Sequence, residues 1–268
     1  MPARNDGPTL AHGVTRTIVI VPTYNERENL ENLVAQIRNQ PCACHILIVD
    51  DNSPDGTGAM ADRLAEAYPG EVMVLHRPRK EGLGRAYVAA FRYVLEREYD
   101  TVIQMDADLS HNPSYLPDLL REIRANDLVL GSRYVRGVNV VNWDFKRLVL
   151  SKLATEYVQI ITGMPFSDAT TGFKCWRREV LEALDLDQLL SNGYLFQIET
   201  TYRAHQLRYR IAEAPIIFYE RDFGRSKIDF RIIREALLGV IQLRLRRSFG
   251  RGITPAPSRR KRRLAASG

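Results

Sequence analysis

Cysteine is scarce in this sequence. Only three occur in 268 residues, at Cys42, Cys44 and Cys175. An odd and sparse set does not favour a disulfide framework. Cys42 and Cys44 form a C-x-C pair, but no second pair is present to complete a zinc site. We therefore expect a structural or incidental role for all three.

Long apolar runs are also missing. No stretch approaches the roughly 20 apolar residues that a transmembrane helix requires, and residues 1–17 lack the apolar centre of a signal peptide. These absences predict a protein made and kept in the cytoplasm. If it meets a membrane, we expect a peripheral contact from the cytoplasmic side.

Three common catalytic patterns are absent as well. The sequence contains no G-x-x-x-x-G-K-[ST] phosphate loop, no G-x-G-x-x-G fingerprint and no recognisable Ser/His/Asp array. P-loop hydrolysis, dinucleotide binding of that type and nucleophilic hydrolysis are therefore disfavoured.

The overall charge is basic, with a formal net charge of +6 and a pI of about 9.3. A basic balance suits nucleic acid, an anionic membrane or phosphorylated substrates, and it does not choose among them. With 45% hydrophobic residues, the chain is long enough for one substantial core.

Short apolar runs alternate with amphipathic segments in the first half of the chain. The pattern predicts strands at 17–21, 45–49, 72–76, 101–105 and 127–130, separated by helices at 26–39, 57–68, 82–98 and 113–126. Such alternation indicates right-handed βαβ units and a mainly parallel sheet. The second half predicts helices at 143–161, 179–184 and 194–205, a loop at 167–174, a strand-like segment at 210–219 and a basic amphipathic segment at 230–247.

Polar residues follow three of the first four predicted strands. They are Pro22-Thr-Tyr24, Asp50-Asp51 and Asp106-Ala-Asp108. In open α/β sheets, ligands bind beyond the carboxyl ends of the strands. The arrangement therefore predicts a nucleotide site at this edge.

Each of these groups has a chemical and a structural interpretation. Asp106 and Asp108 suit a hard cation such as Mg²⁺ or Mn²⁺ on a diphosphate, or they are solvated turn acids. Asp51 could accept hydrogen bonds from a nucleoside, whereas Asp50 fits a turn. Tyr24 could stack on a base; Glu26 could bind the base or stabilise the dipole of the first helix.

Basic residues form a second set of candidates. Arg133, Lys146-Arg147, Arg221 and Lys227 could bind phosphates, although any one of them alone could be a solvated surface charge. Asp168 lies in a polar loop and could orient a sugar, hold arginines or form a turn. His111 is an extra metal ligand or, more simply, a surface turn residue.

Several motifs occur together in a fixed order. They are Ile20-Val-Pro-Thr-Tyr-Asn-Glu-Arg-Glu-Asn-Leu30, Val49-Asp-Asp-Asn-Ser-Pro-Asp-Gly-Thr57, Met105-Asp-Ala-Asp-Leu-Ser-His111, Gly131-Ser-Arg-Tyr134, Asn142-Trp143, Thr171-Gly-Phe173 and Gly224-x-Ser-Lys227. In this order the chain resembles the dolichol-phosphate and polyprenol-phosphate mannose synthases, which are inverting glycosyltransferases. The resemblance covers roughly residues 17–247.

The resemblance implies a GT-A fold, an α/β architecture with a mainly parallel central sheet flanked by helices, followed here by a C-terminal amphipathic interface helix. It also implies GDP-mannose as donor, a polyprenyl monophosphate as acceptor and a β-mannosyl phosphate product. The domain would span 17–250, with a nucleotide-binding part at about 17–135 and an acceptor and membrane-proximal part at about 136–250. A disordered lead at 1–16 and a basic disordered tail at 251–268 would flank it.

Site residues are carried over from the family by position. The guanosine would be held by Pro22, Tyr24, Glu26, Val49 and Asp51. Metal and diphosphate would be held by Asp106, Ala107 and Asp108, with Ser110 nearby where some relatives have Gln. Phosphates of donor and acceptor would be bound by Arg133, Arg147, Ser151, Arg221 and Lys227.

No catalytic base is required, because a phosphate acceptor is already anionic near neutral pH. We expect Asp108, Arg133, Arg147, Arg221 and Lys227 to carry catalysis, with Asp168 as a lesser candidate. Some relatives have C-terminal membrane spans that are absent here. An anionic membrane surface would then be reached through the basic amphipathic end or through a membrane-protein anchor.

Three alternatives compete with this interpretation. A polyprenyl-phosphate glucosyltransferase using UDP-glucose differs only in the donor. A nucleic-acid-binding protein is suggested by the basic tail, but its basic residues are not interleaved with stacking aromatics, so no specific nucleic acid is expected. A nucleotidyltransferase with a similar acid pair would have no use for the amphipathic basic end.

Overall fold

The computed structural model describes residues 16–143, 145–189, 191, 193–219 and 237–245. The strands are β1 (Thr17–Thr23), β2 (Cys44–Asp50), β3 (Val72–His76), β4 (Thr101–Gln104), β5 (Leu128–Ser132), β6 (Val140–Val141), β7 (Lys174–Arg177), β8 (Ile211–Pro215) and β9 (Phe218–Tyr219). The helices are α1 (Arg27–Arg38), α2 (Thr57–Ala67), α3 (Leu83–Leu95), α4 (Leu116–Glu122), α5 (Phe145–Thr162), α6 (Arg178–Ala183) and α7 (Gly193–Gln206). Short 3₁₀ turns lie at Pro113–Tyr115 and Leu186–Gln188, and residues 237–245 are helical.

A mainly parallel sheet flanked by helices forms the centre of the protein, as the sequence predicted. Its strand order is β3-β2-β1-β4-β7-β5-β8, and β6 pairs separately with β9. The first four strands are mutually parallel, and β5 is parallel to β8. Strand β7 runs antiparallel to both of its neighbours.

The sequence pattern failed at β7 and at the last predicted strand. The pattern placed a loop at 167–174 and no strand after it, whereas β7 begins at Lys174. Strand β7 has only four residues, with Lys174 and Arg177 at its ends, so its sequence shows no alternation of apolar and polar residues. The segment predicted as one strand at 210–219 forms two strands. β8 pairs with β5 and ends at Pro215, and β9 begins at Phe218 in the small sheet.

Side chains alternate between the two faces of the sheet, so each face carries its own core. Ile18 and Ile20 of β1 lie in one cluster, while Val19 and Val21 lie in the other. Helix α1 buries Leu30, Leu33, Val34 and Ile37, which share one face at helical spacing. Helix α3 covers the opposite face and buries Ala86, Tyr87, Ala90, Phe91 and Val94.

The chain direction brings several loops to one edge of the sheet. The parallel strands β1, β2 and β4 end there, so the segments after Thr23, Asp50 and Gln104 are neighbours. Because β7 is antiparallel, the loop that precedes it arrives at the same edge. Strand β5 also ends there, just before Arg133.

Helix 237–245 packs one face into the core and exposes the other. Val240 and Leu243 are buried, whereas Leu238 and Leu245 are exposed. Tyr157 of α5 donates a hydrogen bond to the carbonyl of Leu237 at 2.8 Å. This part of the predicted amphipathic segment is therefore helical; its remainder, residues 230–236 and 246–247, lies outside the described residues, as do residues 1–15 and 251–268.

Among the residues described, no helix is both long and apolar enough to cross a membrane.

Candidate active site

The end of β2 carries a buried ion pair. Asp51 lies against Arg77, and both side chains are almost inaccessible to solvent. Arg77 also bonds to Glu81 at 2.9 Å. Burial raises the pKa of Asp51, although the guanidinium of Arg77 acts in the opposite direction. Asp51, the residue predicted to bind the nucleoside, is thus held in place by Arg77. The sequence analysis did not identify Arg77.

Asp50 has a structural role, as the turn interpretation expected. Its carboxylate accepts hydrogen bonds from the Ser53 hydroxyl at 2.6 Å and from the Ser53 backbone N–H at 3.1 Å. Thr23 of β1 donates to the same carboxylate at 3.1 Å. These bonds fix the β2 end against the β1 end, where Pro22 is paired with Val49. Because the Val49 side chain is fully buried, only its backbone can meet a ligand.

Tyr24 and Glu26 follow β1 at this edge. The ammonium of Lys80 lies 3.8 Å from the centre of the Tyr24 ring. Glu26 precedes α1; its backbone N–H donates to Thr57, and its carboxylate accepts from Asn29 at 2.8 Å. The loop after β1 therefore contacts Lys80, which follows β3, and Thr57, which begins α2.

The acid pair follows β4. The backbone N–H of Asp106 donates to Nδ1 of His111 at 3.1 Å, a bond that requires Nδ1 to carry no proton. His111 is buried and stacks on Phe173, with 5.0 Å between ring centres. It is therefore a buried residue, not a surface one, and it anchors the Asp106 backbone.

Asp108 is fixed by a short turn. Its carboxylate accepts hydrogen bonds from the Ser110 hydroxyl at 2.5 Å and from the Ser110 N–H at 3.1 Å, and Leu109 between them has φ of +62°. The methyl group of Ala107 points into the core, whereas Asp106 and Asp108 on either side of it are partly exposed at the edge of the sheet. Ser110 thus supports Asp108 from within the turn.

The residues present fit a divalent cation. Asp106 and Asp108 offer hard carboxylate oxygens, and Mg²⁺ usually takes one or two of these together with substrate phosphates and water. Within the described ranges, no group of three or more His, Cys, Asp or Glu residues is arranged to hold a metal by itself. Gly172 leaves room beside the acids, because a Cβ there would lie 3.3 Å from Oδ2 of Asp106.

Arg133 and Asp168 form one buried unit. The guanidinium bonds to the carboxylate through Nε and Nη2 at 2.6 and 2.7 Å, and Nη2 also reaches Thr170 at 2.9 Å. Burial opposes ionisation of Asp168, but the charge and hydrogen bonds of Arg133 outweigh it and hold the pKa of Asp168 below its usual value. Of the roles open to Asp168, the structure favours that of holding an arginine.

Aromatic rings connect Arg133 to the beginning of α5. The Trp143 ring lies 5.5 Å from the Arg133 guanidinium and 4.5 Å from that of Arg147. Tyr134 donates to, or accepts from, the Ser151 hydroxyl at 2.7 Å. Arg133, Arg147 and Ser151 therefore belong to one connected cluster. Arg221 and Lys227 lie outside the described residues.

The cysteines lie elsewhere. The thiols of Cys42 and Cys44 are 3.5 Å apart where β2 begins, at the opposite end of that strand from Asp50. Cys175 is buried within β7.

Comparisons with known proteins place these features in a family. The family model described as glycosyl transferase family 2 matches residues 18–185. The polyprenol monophosphomannose synthase of Mycolicibacterium smegmatis is 48% identical over 242 residues, covering 90% of this chain and 91% of that protein. This chain belongs to glycosyl transferase family 2.

A second relative of this family 2 glycosyltransferase is the undecaprenyl-phosphate mannosyltransferase of Micrococcus luteus. It is 46% identical over 225 residues, which cover 84% of this chain and 92% of that protein. The names of both relatives confirm the resemblance drawn from the ordered motifs, and the family confirms the predicted enzyme class.

Solved structures show the fold of the family 2 enzyme. A mannosyltransferase from Pyrobaculum calidifontis, crystallised with GDP-Man and Mn²⁺, has a TM-score of 0.60 and 22% identity, covering 86% of this chain and 64% of that one. Glucosyl-3-phosphoglycerate synthase from Mycobacterium tuberculosis, crystallised with Mg²⁺ and UDP, has a TM-score of 0.61 and 18% identity, covering 85% and 79%. At these identities the likeness supports the GT-A fold and not the choice of sugar.

Proposed function

We propose that this family 2 glycosyltransferase transfers mannose from GDP-mannose to a polyprenyl monophosphate with inversion, giving polyprenyl-phosphate β-mannose and GDP. The observation that carries the proposal is the 48% and 46% identity to two enzymes named for this lipid-linked mannosyl transfer, over nearly their whole length. The solved structures with UDP-glucose that resemble this chain, those of glucosyl-3-phosphoglycerate synthase, are 17–18% identical to it and support the fold alone.

The donor would bind across the ends of β1, β2 and β4. Asp51, kept in place by Arg77, would accept hydrogen bonds from the nucleoside, and Tyr24 would lie against it. Asp106 and Asp108 would hold a divalent cation beside the diphosphate. When bound, such a cation stabilises the negative charge that develops on a departing diphosphate.

The acceptor would bind near the start of α5. Arg147 and Ser151 lie on consecutive turns of that helix, beside Trp143 and the Arg133–Asp168 unit. An arginine fork and a hydroxyl are suitable donors for phosphate oxygens. In this proposal Arg221 and Lys227 contribute further positive charge.

In this reaction the enzyme has to position the acceptor phosphate and the sugar, and it does not have to remove a proton. A phosphate monoester is ionised near neutral pH, so its oxygen can attack C1 of the sugar without a base. The arginines would fix that oxygen opposite the leaving group, which lowers the entropic part of the barrier. Asp168 would act through Arg133 and not on the substrate.

A membrane contact would place the enzyme beside its lipid substrate. Phe145, Val149, Leu153 and Ile160 of α5 share one face at helical spacing, and all four are exposed. Leu238 and Leu245 are exposed on the neighbouring helix. Apolar side chains flanked by Lys146, Arg147 and Arg244 match the composition of an interfacial helix on an anionic bilayer. The same proposal includes attachment of the enzyme to the membrane through the rest of its C-terminal segment or through a membrane-protein anchor.

Transfer of radiolabelled sugar tests the donor and the metal together. GDP-mannose and UDP-glucose are each incubated with undecaprenyl phosphate, with Mg²⁺, with Mn²⁺ or with chelator. Lipid-soluble label from GDP-mannose alone, abolished by chelator, is the expected result. Label from UDP-glucose alone would overturn the choice of sugar.

A carboxylate variant tests the acid pair in the same assay. Asp108→Asn should lose at least about a hundredfold in turnover, the scale of losing a preorganised electrostatic group, and should unfold at the wild-type temperature. Asp118→Asn on the exposed side of α4 is the matched control. Wild-type turnover in Asp108→Asn would remove the metal role from this site.

A further inference from the structure

Cys42 and Cys44 form a close pair of thiols at the surface. Both cysteines are free and partly exposed, and their sulfur atoms are 3.5 Å apart. That separation is a contact between unbonded sulfurs, about 1.5 Å longer than a disulfide bond. The sequence analysis expected an incidental role for them, and the glycosyl transfer proposed above makes no use of them.

The backbone between the two thiols is compatible with a bond. Side chains two residues apart in an extended chain point to the same side, and their Cα atoms are about 6.6 Å apart. This distance lies within the range of about 4.4–6.8 Å that a disulfide spans. Cys42 also lies in a bend, where its N–H donates to the carbonyl of Gln40 at 2.7 Å. The sulfurs can therefore join through rotation of the side chains and a small movement before β2 begins.

The two thiols differ in their readiness to react. The S–H of Cys44 donates a hydrogen bond to Sγ of Cys42. This bond lowers the pKa of Cys42, against the opposing effect of burial. The same hydrogen bond, followed by burial, raises the pKa of Cys44. Because the thiolate is the nucleophile in thiol chemistry, Cys42 is the thiol that attacks first.

We propose that Cys42 and Cys44 are a thiol–disulfide exchange site, which low-molecular-weight disulfides such as oxidised glutathione convert reversibly to an intramolecular disulfide. In the first step the Cys42 thiolate attacks one sulfur of the small disulfide. An S–S bond forms to Cys42, the S–S bond of the small molecule breaks, and one small thiolate leaves and takes up a proton.

The second step closes the bond within the protein. Cys44 gives up its proton to solvent and its thiolate attacks Sγ of Cys42, which releases the second small thiolate. The protein thereby loses two electrons and two protons, and the small disulfide is reduced to two thiols.

The first step prepares the second. Once Cys42 is part of a mixed disulfide it carries no charge, so the S–H of Cys44 no longer has a thiolate to donate to. The contact that raised the pKa of Cys44 is weakened, and its sulfur already lies beside the sulfur that it has to attack. Ring closure should therefore follow quickly, and the mixed disulfide should not accumulate.

A metal site is the alternative chemistry for two adjacent thiols. In the parts of the chain that the structure describes, no third His, Cys, Asp or Glu joins them, whereas a structural zinc site has four ligands. The pair also lies at the start of β2, about 20 Å along the strand from Asp50. The exchange site is therefore separate from the donor site, and its test does not depend on the proposed transfer.

Intact-mass measurement after incubation with oxidised glutathione tests the site. The reduced full-length chain is freed of reductant, exposed to the disulfide and quenched with acid. We expect the wild type to lose two hydrogens and to retain no glutathione, with peptide mapping that joins Cys42 to Cys44, and a dithiol reductant should reverse the change. Cys175, fully buried in β7, is the internal control and should react with an alkylating reagent only after denaturation.

Two single variants identify the attacking thiol. Cys44→Ser should stop after the first step and hold one glutathione on Cys42, whereas Cys42→Ser should react at least about tenfold more slowly. Equal rates in the two variants would overturn the assigned order of attack. A wild-type chain that stays reduced, keeps glutathione on Cys42 or forms disulfide-linked dimers instead would overturn the exchange site itself.

Discussion

Arg133 binds Asp168 through two parallel hydrogen bonds, at 2.6 and 2.7 Å, in a place where the carboxylate is fully buried. The sequence analysis treated Arg133 as a phosphate clamp and left Asp168 three roles, of which holding an arginine was one. Their geometry makes them one unit, with the carboxylate fixing the direction in which the guanidinium presents itself to the cluster around Trp143.

Removing the carboxylate should destabilise the protein in a pH-dependent way. Asp168→Ala removes the opposite charge and two hydrogen bonds from the buried Arg133 guanidinium, and breaking a buried ion pair typically costs about 3–5 kcal/mol at neutral pH. The pKa of folded Asp168 is lowered, while that of the unfolded chain is about 3.9. The stabilisation is therefore complete above about pH 4 and is lost as pH falls through the lowered value.

Urea unfolding of wild type and Asp168→Ala at pH 7 and pH 3 measures this effect. The difference in free energy of unfolding should be large at pH 7 and smaller at pH 3. An equal difference at both values would contradict an ionised, stabilising Asp168.

The Asp51–Arg77 pair predicts a defect in donor binding. Arg77→Met leaves Asp51 buried without its counterion and raises the pKa of that carboxyl further. KM for GDP-mannose should rise about tenfold or more, which corresponds to about 1.4 kcal/mol. Because a protonated Asp51 has lost its negative charge and accepts hydrogen bonds from the nucleoside more weakly, the defect should be larger at pH 5.5 than at pH 7.5.

Arg79→Met is the control for this variant, since Arg79 is mostly exposed and bonds only to Glu81 among the ion pairs found. Equal effects of the two substitutions would show that general positive charge matters, and not the orientation of Asp51.

A side chain at Gly172 should displace the carboxylate of Asp106. In Gly172→Ala the added Cβ would lie 3.3 Å from Oδ2 of Asp106 and 3.4 Å from Cε1 of His111. Asp106 must then move, so we expect the Mn²⁺ concentration for half-maximal turnover to rise several-fold.

Gly70→Ala provides the comparison for Gly172→Ala. Its Cβ would meet nothing within 4 Å, although φ of +81° adds strain. It should lower the thermal midpoint and leave the metal requirement unchanged. A normal metal requirement in Gly172→Ala would argue against a cation held by Asp106.

The exposed face of α5 predicts membrane binding. Leu153 and Ile160 are 57% and 81% exposed, and burying one such side chain contributes about 1.5–3 kcal/mol. The double variant Leu153→Ser/Ile160→Ser should therefore bind vesicles of anionic phospholipid at least tenfold less tightly in sedimentation. Val138→Ser, also exposed but outside α5, should bind as the wild type does; equal binding by all three proteins would exclude this face.

The sequence predicted the elements that follow simple periodic rules. The buried face of α1 and the strands up to β5 have clear apolar patterns, and the parallel order placed Asp51, Asp106 and Asp108 at one edge. The order of the motifs supplied the family. These features depend on local patterns and on general rules of α/β sheets.

Long-range pairing explains what the sequence did not predict. Arg77 resembles any loop arginine until the fold places it against Asp51, and Lys174 appears too polar for a central strand. Its ammonium is nevertheless buried and donates to the carbonyl of Gln197 at 2.6 Å.

The most direct test of the account compares a phosphate acceptor with the corresponding alcohol. GDP-mannose and Mn²⁺ are supplied with either undecaprenyl phosphate or undecaprenol, and the product is identified by mass and by the anomeric coupling of the mannose. The account predicts β-mannosyl phosphate lipid from the phosphate and no transfer to the alcohol, because the arginines of the site favour an anionic nucleophile, which attacks without a base. Transfer to the alcohol, or an α-linked product, would contradict it.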